Sequence, residues 1–233
     1  MPKSAPRPRR RGHDQVLSVE AIVETALQLA HDSHVDAVTL RQVAAELHTG
    51  QSSLYVWVPN RVALLQLMLS RALEDIRLPR PDPATWQRQL VTLVTKVGAA
   101  LDRYPGLAKV MLGEIPVDPA SLRLADCYLA LMRAGSVPDR AAAYAVDTLN
   151  LYVASASLEK SMSAVVLGDP AGPPLALDRN DYAATRSLFG SIDADRFPHL
   201  HRLSAEMSSG SARARFAFGL ETFVAGLAAQ TSR

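Results

Sequence analysis

The stretch from His48 to Arg61, HTGQSSLYVWVPNR, holds the side chains of this chain best suited to reading another molecule. Gln51, Ser52 and Ser53 put three short hydrogen-bonding groups in a row. Leu54, Tyr55 and Trp57 follow, and then Asn60 and Arg61. Short amides and hydroxyls at the start of a helix can reach base edges in the major groove, where a glutamine pairs with adenine through two hydrogen bonds. A guanidinium in the first turn of the next helix can hold a phosphate beside that helix's positive end. The competing reading is a polar inter-helix turn with no ligand at all. Catalysis has no comparable constellation: the chain lacks a P-loop, HExxH, GxSxG and the dinucleotide glycine pattern. His31 with His34, and His199 with His201, are too few for a metal site, and Cys127 reads as a small core residue. The expectation is a protein that is not an enzyme and holds no metal or cofactor.

Helical elements must position the reading residues. Ser18 is an N-cap with Glu20 in the first turn, and Ile22, Ala26, Leu29 and Ala30 form one apolar stripe. Thr39 and Gln42 match a capping box ahead of Leu40, Val43, Ala44 and Leu47. A helix over 39–47, a tight turn and a helix over 51–56 make a helix-turn-helix, with Leu54 at the back packing on Val43, Leu47 and Leu29. Asn60 caps a longer helix to about residue 78, and the prolines of 79–83 form a linker or rigid elbow. Helices are then expected at 84–103, 105–113, 119–134, 138–166, 181–189, 193–207 and 211–230. Residues 168–178 make the longest loop, and no alternating strand pattern occurs. The fold class is all-α.

At 233 residues, 48% hydrophobic and 21% charged, the chain can bury a substantial core. No apolar run approaches the ~20 residues of a membrane span. The N-terminal arginines have no apolar stretch behind them, so they do not read as a secretory signal. A lone cysteine fits a reducing compartment, and the expected location is the cytoplasm. The net charge of +2 is unevenly spread. Lys3, Arg7, Arg9, Arg10 and Arg11 lie in the first 13 residues without an acid, leaving 20 basic against 23 acidic residues elsewhere. Residues 1–17 therefore read as a disordered basic arm, either contacting a polyanion or simply solvated.

On helix one, TLRQVAAEL, the turn and SSLYVWVPNRVALL, the chain resembles the tetracycline-repressor (TetR) family of bacterial transcription factors across residues 18–65. The resemblance implies a three-helix DNA-binding domain at 18–65 and a helical ligand-binding and dimerisation domain at 66–233, bridged by helix 61–78. It places Thr39, Arg41, Thr49, Gln51, Ser52, Ser53, Tyr55, Trp57, Asn60 and Arg61 at double-stranded operator DNA, with Tyr55 and Arg61 on phosphates. His48 stands where the family favours glycine, Gly50 where it favours a side-chain cap, and Val58 where it favours phenylalanine.

For the remainder, the resemblance implies a homodimeric repressor released by a small-molecule inducer. The small residues Ala142, Ala145, Leu149, Val153 and Ala156 on one long helix suit an intersubunit face, as do Phe216, Gly219, Leu220, Phe223, Gly226 and Leu227 on the last. The competing reading is that both stripes pack inside one chain. Trp86, Met111, Leu112, Tyr128, Met132, Asn150 and Tyr152 are candidates for lining an inducer pocket, with plain core packing as the competing reading. Two rival functions stay open: a helical small-molecule-binding enzyme, and an architectural DNA-binding protein without a sensor.

Overall fold

The computed structural model describes residues 17–113, 117–163 and 182–230. The basic arm and the 168–178 loop fall outside these residues. Among the described residues the regular structure is entirely helical, and no helix is long and apolar enough to cross a membrane.

Local chemistry starts several of the helices. In α1 (Val19–Asp32) the Ser18 hydroxyl accepts from the Ala21 N–H at 3.2 Å. A single 3-10 turn, Val35–Ala37, leads to α2 (Leu40–Glu46), where Thr39 and Gln42 complete the reciprocal capping box. After α3 (Gln51–Leu54), Asn60 accepts from the Ala63 N–H at 2.8 Å and opens α4 (Arg61–Glu74). The expected extension of this helix to residue 78 does not occur. The helix ends at Glu74 in a tightened turn, with the Asp75 and Ile76 N–H groups both donating to the Leu73 carbonyl, and Pro79 further disfavours helical geometry at Leu78. The linker then enters α5 (Trp86–Leu101).

Helix α6 is only Lys109–Gly113, shorter than the expected 105–113, because Gly106 takes φ +84° and turns the chain. Asp118 caps α7 (Pro119–Ala134), and α8 runs Asp139–Ser163. Beyond it come α9 (Tyr182–Gly190), α10 (Pro198–Arg202), α11 (Ser204–Met207) and α12 (Ala212–Ala228). The single helix expected over 193–207 is thus two short ones. Pro198 supplies no amide hydrogen and suits a helix start, so residues 193–197 form a turn held by Asp193 instead.

Two apolar cores meet within α4. Ile22, Ala26, Val43, Leu54, Val58, Leu64 and Met68 are buried in the first, and Leu29 and Leu47 pack on its edge. The second begins at Leu69 and gathers α5, α7, α8 and α12. Leu107, from the turn between α5 and α6, crosses over and is fully buried in the first core. The N–H of Val35 donates to the Pro105 carbonyl at 2.9 Å, tying the same turn to the first unit.

The small-residue stripe of α8 serves this internal core. Ala142, Ala145, Leu149 and Val153 are all buried within the chain. A methyl group on Gly98 of α5 would stand 3.2 Å from Val153, which shows how closely the two helices approach. Leu220 and Leu227 of α12 are buried in the same core, and Phe216 and Phe223 pack against it. The buried members of those stripes are therefore internal, whereas Ala156 is half-buried and Gly226 exposed. Periodicity identified the apolar side of each helix, but that side is covered by the chain's own α5. The outward faces carry Tyr144 and Leu151 on α8, and Phe218, 73% exposed, on α12.

Candidate nucleic-acid interface

The recognition unit is built from its back. Leu54 and Val58 have no exposed surface, so α3 and the turn after it are pinned to α1, α2 and α4. Val58 does here what a larger aromatic would do, filling its part of the core. Opposite these anchors, Gln51 and Ser52 face solvent, Tyr55 is 48% exposed and Trp57 44%. The Gln51 side-chain amide donates to the Tyr55 hydroxyl at 3.1 Å, one helical turn away, which orients both groups. Ser53 and Thr49 are half-buried at the edge of this surface. Arg41 on α2 is exposed and has no polar partner among the described residues.

The turn before α3 explains two departures from the family pattern. His48 adopts φ +51°, the left-handed conformation that a glycine would take without strain. Gly50 stands at the N-cap of α3 with no side chain to accept from the helix amides. Replacing His48 with glycine is expected to raise stability by about 1 kcal/mol, the lower end of the left-handed penalty. Urea unfolding midpoints at a common m-value would show it, and a midpoint below wild type would refute the strain.

Other expected contact residues have work inside the protein. The Thr39 hydroxyl accepts from the Gln42 N–H at 3.2 Å and donates to the Gln42 side-chain oxygen at 2.7 Å. Asn60 is occupied as the α4 cap. Arg61, expected at a phosphate, has a side chain 40% exposed and also makes contacts inside the protein. Its Nε donates to the Val38 carbonyl at 3.1 Å, and its Nη2 donates to the Val35 carbonyl at 2.9 Å. The Asp36 carboxylate lies 3.7 Å from Nη2 and also pairs with Lys109 of α6. Arg61 therefore staples α4 to the connection between α1 and α2. Val56, absent from the expected contacts, is 82% exposed midway between the buried Leu54 and Val58. Its signal was its place two residues from both Leu54 and Val58, which point inward.

The seven pocket candidates are placed less uniformly. Trp86, Tyr128 and Met132 are buried in the second core, and Met111 and Tyr152 pack on its edge. Burial pushes the Tyr128 phenol well above its ordinary range. The Tyr152 ring stacks on Phe216 at 5.2 Å, and its hydroxyl donates to the Phe216 carbonyl at 2.9 Å. Leu112 is exposed and Asn150 half-buried. Cys127 is buried, and desolvation raises its thiol pKa, as for an inert core residue.

Comparison with known proteins gives these features a context. Residues 78–231 match the family model of the tetracycline repressor-like C-terminal domain. The chain is 30% identical over 152 residues to the HTH-type transcriptional repressor DrrR1 of Streptomyces coeruleorubidus, an alignment spanning 63% of this chain and 55% of that protein's length. It is 29% identical over 182 residues to the class D tetracycline repressor protein of Escherichia coli, covering 77% of this chain and 81% of the repressor. The crystal structure of Streptomyces coelicolor ActR in complex with actinorhodin superposes with a TM-score of 0.80. It shares 30% identity and covers 93% of this chain and 99% of ActR. With a helix-turn-helix standing on an all-helical body and a family match across most of its length, the chain belongs to the TetR family of transcriptional regulators.

Proposed function

We propose that the protein is a cytoplasmic, homodimeric repressor that binds a two-fold symmetric operator and is released by a small-molecule inducer. The observation that carries the DNA half is the outward surface of Gln51, Ser52, Tyr55, Val56 and Trp57, held rigid from behind, with the unpaired Arg41 beside it. Gln51 and Ser52 read base edges, Val56 meets a thymine methyl, and Arg41 and Tyr55 hold phosphates. Thr39, Asn60 and Arg61 position the surface and do not read it. Tyr144, Leu151 and Phe218 form the apolar centre of the subunit contact, since large exposed apolar groups on two long helices call for a cover. Residues 18–65 act as the DNA-binding domain, and the helices from 66 onward act as the sensor.

The inducer half rests on likeness. ActR holds actinorhodin in its crystal structure, and the candidates for an inducer site here are Met111 and Tyr152 at the edge of the second core, with Leu112 and Asn150. An enzyme reading has no catalytic constellation behind it. Ligand moves the equilibrium only if it binds one geometry of the dimer better than another. Operator DNA must then weaken inducer binding by the factor by which inducer weakens DNA binding. Compounds found by thermal shift are titrated with and without operator. A ligand that binds tightly and leaves the operator isotherm unchanged refutes the sensor half alone.

Gln51→Ala is expected to lose roughly 1–3 kcal/mol of discrimination at one symmetric pair of operator positions, with non-specific affinity retained. Competition between cognate and substituted duplexes measures this. Equal losses on cognate and random DNA would remove Gln51 from base readout.

A further inference from the structure

A cavity of about 350 Å3 opens where α1, α4 and α5 meet. None of the groups assigned above lines it. Its apolar wall comes from Leu27 of α1, Ala72 and Ile76 at the end of α4, and Ala99 and Ala100 of α5. Its volume falls in the range of small-molecule sites.

The rim is charged, and its acids are already satisfied. Arg71 Nε donates to Glu24 at 2.7 Å, and Nη1 donates to Asp75 at 2.8 Å, so the two carboxylates share one cation. Two further cations stand on the α5 side. Lys96 has no hydrogen bond or ion pair among the described residues. The Arg103 guanidinium lies over the Tyr104 ring at 5.7 Å, and both residues line the same cavity. The Asp75 carboxyl is held below its ordinary range by the hydrogen bond and charge of Arg71 and, after them, by the Arg103 charge. Three cations stand against two carboxylates in the lining, so an apolar wall under Lys96 and Arg103 suits an organic anion.

We propose that this cavity is an effector site for a compact organic carboxylate, its apolar body resting on Leu27, Ile76 and Ala100 and its anion held by Lys96 and Arg103. The site lies on the joint between the two cores. The backbone carbonyl of Arg103 bonds the His31 ring Nδ1 at 2.9 Å, at the end of α1, and the next link is the one from Val35 to Pro105. A ligand that draws in Arg103 therefore acts on the orientation of the DNA-binding unit. This coupling rests on the regulator reading above, whereas the binding itself does not.

The probe is 2-naphthoate, with uncharged 2-naphthalenemethanol as its control, titrated calorimetrically into the full chain. Naphthoate is expected to bind at least ten-fold tighter than the alcohol, to lose ten-fold or more in Lys96→Glu, and to keep its affinity in Lys96→Arg. No naphthoate binding at millimolar concentration, or equal binding to Lys96→Glu, overturns the site. Repeating the titration on protein bound to its operator is expected to shift naphthoate affinity at least three-fold. Equal affinity on and off DNA overturns the effector role while leaving the binding site. A protein that binds naphthoate as expected and no operator DNA overturns the regulator reading, and the effector role with it.

Discussion

Gly106→Ala is expected to destabilise the protein by about 2–5 kcal/mol and to loosen the joint between its two cores. Two costs combine. The residue holds φ +84°, where an L side chain carries about 1–2 kcal/mol of strain. The added methyl group would also lie 2.2 Å from His34 Cε1 and 2.9 Å from Val35 Cγ1, an overpacking that typically costs about 1–3 kcal/mol. The joint has no slack to give, because Leu107 is buried in the first core and Val35 is bonded to Pro105. Removing the His34 ring as well should relieve the closer clash and leave the Val35 contact and the backbone part, so Gly106→Ala/His34→Ala is expected to lie between wild type and the single variant. Urea unfolding would decide, and a Gly106→Ala protein of wild-type stability would show that the turn is not confined.

The same joint has a pH dependence of definite sign. Burial, and then the Lys109 cation, hold the His34 pKa below its ordinary value. Asp36 Oδ2 lies 3.5 Å from Nδ1 and would favour the charged ring, but Nδ1 already accepts the Asp36 N–H at 3.1 Å, so the neutral form is the one the structure uses. A histidine with a depressed folded pKa contributes fully above its unfolded value, near 6.5, and loses that contribution as pH falls. Stability is expected to decline below about pH 6.5, and less so in His34→Ala. Parallel declines in both proteins would assign the effect elsewhere.

Deleting residues 2–13 is expected to give the largest change in DNA binding. The segment carries five cations and no acid. Each phosphate neutralised adds about 0.9 to the salt slope, so the slope should flatten by up to about 4–5 per chain, with affinity falling most at low salt. The unfolding midpoint should be unchanged, because the arm has no apolar pattern to pack. An unchanged isotherm at low salt would make the arm a solvated tail.

What the sequence disclosed follows the range of the interactions. Ser18, the Thr39–Gln42 box and Asn60 act on amides three residues away, and each was legible as a helix start. Leu54 was legible as the back of α3 because only one face of that short helix is apolar. Arg61 was not legible, since its carbonyl partners stand 23 and 26 residues away and its place in a first turn suggested phosphate. The stripe of α8 showed which side is apolar, but not that Gly98 lets α5 come close enough to cover it. Trp86, Tyr128 and Met132 make the same point, because a filled core and a ligand wall use the same residue types. The α1–α4–α5 cavity joins residues from Glu24 to Tyr104, a constellation that no local spacing announces.

The central claim is sequence-specific DNA recognition by the α3 surface. Its most direct test is the affinity of the purified protein for duplex DNA from the upstream region of its own gene, against a scrambled duplex of equal length at 0.15 M salt. The expected result is a preference on the order of 10³-fold or more, the ordinary margin of a specific binder. Gln51→Ala should reduce that preference, with a footprint of two half-sites about one helical turn, roughly 34–36 Å, apart. Equal affinity for the two duplexes across the whole upstream region would contradict it.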